Sequence, residues 1–289
     1  MTQIKEINDG IKQAIEKVKS LKTPGYKLQT TDYAIALALE FPKLMNQKQC
    51  FRNIKFGGCF IHPSRAAIMV NKGKTPYQSC KLGDLLVLVR KHSNKHVRYN
   101  AALLKMIQSN ANPVIITDAT NQATLFLYSQ WPTFTLGPGG AQYDIYPKTV
   151  SQGAMYCIIK NRIQQTQFYI TEPMQQMMID SQMTFARFIR DSINWQTGRA
   201  ISLEKDRNSD EWSKLIWDLI RQAASSSLYR NIINYHSPSN LSDNFLHMMV
   251  EENGIDASGP MIDNFPNEES DAGIPILFID IEESESEGD

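Results

Sequence analysis

The sequence predicts an α+β protein: a mixed N-terminal α/β region, then a mainly helical C-terminal half, then a flexible acidic tail. Three observations carry that expectation. Apolar residues recur at helical spacing before Ser20, short β-prone runs broken by Gly and Pro lie between Phe51 and Val89, and helical stripes of Met, aromatic and aliphatic residues follow Pro173. The resulting division is residues 1–172 as a basic α+β region, 173–254 as a helical region packed on it, and 255–289 as an acidic tail with an apolar docking segment at 274–281.

The first element is an amphipathic helix, because Ile4, Ile7, Ile11, Ala14, Ile15 and Val18 share one face while Lys5, Lys12, Lys17 and Lys19 populate the other. Thr23-Pro24-Gly25 ends it. Thr30 or Thr31 caps a second helix running through Tyr33, Ile35, Leu37 and Leu39 and bending or ending near Pro42. Strands are expected at Phe51–Phe56, Cys59–His62, Ala66–Val70 and Leu85–Val89. A helix is expected over Val97–Ser109, and further strands over Pro113–Thr117, Ala123–Tyr128 and Met155–Ile159. Beyond Pro173, Met174, Met177, Met178, Phe185, Phe188 and Ile189 form one helical stripe, and Trp212, Leu215, Ile216, Leu219 and Ile220 another. Core packing explains both, with an assembly surface as the alternative for the Met-rich face.

With 289 residues, 42% hydrophobic and 21% charged, the chain is sized for one large or two ordinary domains. No apolar run approaches the roughly 20 residues of a membrane-spanning helix. The opening residues do not read as a signal sequence. Cys50, Cys59, Cys80 and Cys157 are too scattered to staple a secreted domain, so reduced thiols in the cytoplasm or nucleus are expected.

The net charge of zero conceals two opposed blocks. All thirty Lys and Arg lie in residues 1–240 against sixteen Asp and Glu, a net +14; residues 241–289 hold the other fourteen acids and no Lys or Arg. Residues 1–105 alone carry nineteen bases against six acids. A polyanion partner for the first third, with an acidic segment competing for it, is the physical implication.

The densest basic run is Arg90 to Tyr99, in which Arg90, Lys91, Lys95 and Arg98 are expected to neutralise phosphates and Tyr99 to stack on a base. Arg52, Lys55, Arg65, Lys72, Lys74 and Lys81, interleaved with Phe51, Phe56, Phe60 and Tyr77, extend the expected nucleic-acid-binding set. The alternative is a solvated surface. No zinc-finger spacing, RNA-recognition signature or heptad-linked basic helix is present, so binding should be sequence-tolerant. The expected function is non-enzymatic binding of single-stranded nucleic acid, RNA favoured, by a homo-oligomer that coats, packages or organises replication, as a viral nucleoprotein or replication-factory protein does.

Two alternatives remain. Leu136-Gly137-Pro138-Gly139-Gly140 could serve a nucleotide-processing enzyme, although it lacks the Lys-Ser/Thr ending of a P-loop and no helix start follows it. A matrix-like structural adaptor is the other. Cys59/His62 and His92/His96 have usable metal spacing but no CxxC pair anchors them, so no metal, cofactor or catalytic residue is assigned.

For the tail, one expectation is a gate lying in the basic groove. Another is partner docking through Ile276, Leu277, Phe278 and Ile279 over residues 274–287, a segment that resembles a SUMO-interacting motif, with Ser284 and Ser286 as acid-directed phosphorylation sites. A core strand is the third reading of 274–281.

Overall fold

The chain opens with an amphipathic helix, α1 (Thr2–Ser20), whose Ile7, Ile11, Ala14, Ile15 and Val18 are buried. A short α2 (Thr30–Ile35) runs through a π-helical turn (Ala36–Glu40) into α3 (Phe41–Met45). These assignments come from a computed structural model describing residues 2–61, 66–70, 76–93, 96–148, 153–162, 165–173, 177–204, 209–225, 245–247, 249 and 273–283. Strands β1 (Ile54–Ile61), β2 (Ala67–Met69), β3 (Ser79–Cys80), β4 (Leu85–Ser93), β5 (His96–Gln108) and β6 (Val114–Ile115) follow, then helix α4 (Ala119–Gln130). Next come β7 (Phe134–Leu136), β8 (Gln142–Tyr143), β9 (Ala154–Asn161), β10 (Thr166–Thr171), β11 (Met178–Ile179) and β12 (Met183–Thr184). Helix α5 (Phe185–Ile193), β13 (Arg199–Ile201), helix α6 (Glu211–Ala224) and β14 (Ile274–Glu282) complete the order.

An eight-stranded mixed sheet runs β1-β14-β4-β5-β9-β10-β12, with β13 also pairing β5. Two pairings are parallel, β14 with β4 and β5 with β9. Helices α1, α2, α3 and α5 cover one face, against Leu85, Val87, Val89, Leu277 and Ile279. Helices α4 and α6 and the small sheet β3-β2-β7-β8 cover the other, against Leu86, Leu88, Ile276 and Phe278. Because both faces are covered, the central strands are continuously apolar.

Close approach fixes one glycine. A Cβ on Gly58 would sit 1.6 Å from the Ala38 carbonyl oxygen, so β1 lies directly beneath the π-helical turn. Such turns accommodate an extra residue where packing would otherwise break the helix. Among the described residues no helix is long and apolar enough to cross a membrane.

The expectation of a mainly helical C-terminal half is overturned. That half contains α5 and α6, but also β11, β12, β13 and β14. The Met stripe fails because Met178 belongs to β11, with Met177 and Met178 about half exposed, and the helix begins only at Phe185, where the Thr184 side chain caps it by accepting from the Arg187 amide.

The expected flexible tail is corrected at 274–282, which form a strand buried between two others; residues 255–272 and 284–289 lie outside the described residues. Two earlier elements exchange type. Val97–Ser109 is strand β5, whose Ala101 and Leu103 face one core and Ala102 and Leu104 the other, which erases period-two polarity. Ala123–Tyr128 belongs to helix α4, set by Asp118 accepting from the Asn121 amide at 2.8 Å.

Candidate functional site

The basic run of the first expectation occupies the β4–β5 hairpin, and alternation along the strands sends its side chains to opposite faces. Arg90 points to the α6 side and is 5% exposed. Its Nε donates to Asp280 Oδ1 at 2.8 Å, its Nη2 to Asp280 Oδ2 at 2.7 Å, and its guanidinium lies over the Phe278 ring. His92 Nε2 stands 3.2 Å from the same carboxylate. Tyr99 is buried, edge-on to Trp217 at 5.0 Å between ring centroids. Arg90 and Tyr99 are therefore core groups, and the phosphate and stacking roles expected of them are corrected.

On the opposite face Lys91 Nζ meets Glu283 at 2.5 Å, and Lys91 holds the Glu283 carboxyl below its usual range with help from Ser93 and Arg98. Lys55 faces Glu282 at 3.8 Å. Asp280, Glu282 and Glu283 thus neutralise the cations beside them, while the other eleven acids of residues 241–289 lie outside the described residues. Lys81 is paired with Asp84 at 2.8 Å. Arg52 and Arg98 are exposed. Arg65, Lys72, Lys74 and Lys95 lie outside the described residues.

The docking role expected of Ile276, Leu277, Phe278 and Ile279 is also corrected. All four are fully buried, and β14 is hydrogen-bonded to β1 on one side and β4 on the other, leaving no edge for a partner strand. The Gly137–Gly140 loop is a hairpin turn joining β7 to β8. Gly137 N–H donates to the Ala66 carbonyl and Gly140 N–H to the Gly137 carbonyl, so those amides are not presented to a phosphate.

Asp84 is buried with Lys105 at 2.9 Å and Lys81 beside it, and its Oδ2 accepts from the Met106 amide. Burial pushes its carboxyl up, but the two ammonium groups outweigh that and hold it down to about 2. Burial pushes the Cys59 thiol well up and the Cys80 thiol up to about 12, so both are inert as nucleophiles. Among the described residues no group of three or more His, Cys, Asp or Glu is placed to hold a metal ion.

The sequence reading missed a cleft of about 630 Å³ where the parallel strands β5 and β9 end. Ligand clefts favour such carboxyl ends in parallel sheets. Helix α1 contributes Glu16 and Lys19, the following loop Tyr26 and Lys27, and the strand ends Gln108, Asn110 and Asn161. Tyr33 on α2 and Thr166 at the start of β10 close the floor.

A relay of hydrogen bonds fixes the amides. Tyr33 Oη and Thr166 Oγ1 both donate to Asn161 Oδ1, at 2.9 and 3.1 Å. Asn161 Nδ2 donates to Gln108 Oε1 at 3.1 Å, and Gln108 Nε2 to the Leu28 carbonyl at 3.1 Å. Burial, then the Asp32 carboxylate, raises the Tyr26 hydroxyl above its ordinary value. The Tyr26 ring is 40% exposed, with Lys22 Nζ 5.1 Å over its face. Arg162 follows Asn161 in the turn to β10 and is exposed. The weak sequence signal was the polar cluster Gln108-Ser109-Asn110 closing an apolar run.

Compared with protein-family models, curated proteins and solved structures, the chain matches none.

Proposed function

We propose that this protein binds single-stranded nucleic acid, RNA favoured, without strong sequence preference and without catalysis, and that it does so over the α1 face and the cleft instead of the β4–β5 hairpin. The observation that supports this reading is the composition of the cleft. Lys19 and Lys27 supply cations for phosphates, the exposed Tyr26 ring offers a base-stacking surface, and the Gln108 and Asn161 amides suit polar edges. Lys5 and Lys12 extend the positive surface along the exposed side of α1.

In this reading the protein works inside the cell, where Cys50, Cys59, Cys80 and Cys157 remain thiols, and several copies line one strand. Fluorescence anisotropy with single-stranded RNA and DNA oligonucleotides over a salt series tests it. The expected result is affinity that falls with salt, with a shallower dependence after Lys19→Ala and Lys27→Ala. No affinity at low salt, or affinity indifferent to salt, overturns the proposal.

A further inference from the structure

The hydrogen-bond inventory of the cleft selects the chemistry of its ligand. Asn161 Oδ1 already accepts two hydroxyl donors, which fills both of its lone pairs, and Gln108 Oε1 accepts the Asn161 amide. The Asn161 oxygen is therefore filled, and the Gln108 oxygen keeps one lone pair. Each amide nitrogen carries two N–H groups, of which the relay uses one. Left for an incoming molecule are one N–H on Asn161, one on Gln108 and the ammonium groups of Lys19 and Lys27, beside the Asn110 amide, which brings both donors and an acceptor.

Against these stands a single lining carboxylate, Glu16, and no ion pair engages Lys19 or Lys27 among the described residues. A site with two unpaired ammonium groups and directed N–H donors against one carboxylate fits a ligand that carries acceptors and negative charge. The tyrosine beside it adds an aromatic face, and the size of the cleft is that of a small-molecule pocket.

From this we infer that the cleft is a phosphate-ester pocket of nucleotide size, with the phosphate held by Lys19 and Lys27 and the Gln108 and Asn161 N–H groups directed to acceptor atoms of the same nucleotide. The inference rests on the nucleic-acid reading above and deepens it, because the nucleotide could belong to a strand or be free in solution.

Calorimetric titration of the full chain with inorganic phosphate and with adenosine 5′-monophosphate, beside anisotropy with a single-stranded oligonucleotide, tests the site and separates the two sources. The variants are Lys19→Ala with Lys27→Ala, and Gln108→Glu, which keeps the side-chain shape while replacing a donor with an anionic acceptor. Circular dichroism confirms that each variant is folded. The expected result is monophosphate binding that weakens by about tenfold or more in both variants, the loss that follows from removing one charge-assisted contact.

Monophosphate binding without oligonucleotide binding supports the pocket and overturns the strand reading. Oligonucleotide binding that ignores all three substitutions, with no response to either phosphate probe, overturns the pocket and the placement of the strand in the cleft, and leaves only nucleic-acid binding elsewhere on the protein. No binding of any probe overturns both.

Discussion

Asp280 accepts both hydrogen bonds of a bidentate pair from Arg90, across the parallel junction of β14 and β4, with the two side chains only 6% and 7% exposed. A buried pair of this geometry tolerates joint replacement far better than loss of one member, because the orphaned charge has no solvent to stabilise it. Asp280→Ala is expected to destabilise the fold by about 3–5 kcal/mol, and Arg90→Leu combined with Asp280→Leu to recover much of that loss. Urea denaturation of the single and double variants measures both.

Truncation after residue 272 removes β14 from between β1 and β4 and exposes the apolar faces that Leu277, Phe278 and Ile279 cover. Loss of the cooperative unfolding transition is expected in the truncated chain. Truncation after residue 283 should retain it. Near-ultraviolet circular dichroism on heating distinguishes the two.

Acid should weaken the fold through Asp84. Its folded-state carboxyl titrates near 2 against an ordinary value of 3.8, so its contribution is complete above about pH 4 and disappears as pH falls through 2. The size is about 2 kcal/mol. Urea midpoints measured from pH 5 to pH 2 should fall more steeply for the native chain than for Asp84→Asn, which cannot titrate.

Gly58→Ala places a methyl group against the Ala38 carbonyl of the π-helical turn. Backbone stands on both sides of the contact, so relief requires the turn to move off the sheet. A loss of about 1–3 kcal/mol is expected, read as a lower thermal midpoint. Gly139→Ala serves as the comparison: nothing lies near its Cβ, and its positive φ alone penalises the change.

The parts of this molecule that could be read from its sequence are those where a local pattern meets a single environment. Helix α1 has a buried stripe and an exposed lysine face, and α6 buries Trp212, Leu215, Ile216 and Leu219 as its spacing implies. Strand β5 defeated the same reasoning because Ala101 through Met106 are buried on both sides, so neither period stands out. The basic run misled for a different reason. Whether Arg90 meets phosphate or carboxylate depends on Asp280, which is far away in the chain and adjacent only through sheet pairing. The cleft was hidden likewise, since Tyr26, Gln108 and Asn161 come from separate segments that nothing local connects.

The position of β14 has a bearing on synthesis. A ribosome delivers the strand that belongs between β1 and β4 after every other described element, so those two must wait unjoined while most of the polypeptide emerges. Until then their facing backbone groups and apolar side chains invite pairing with neighbouring nascent chains, and chaperone occupancy should persist until late in translation.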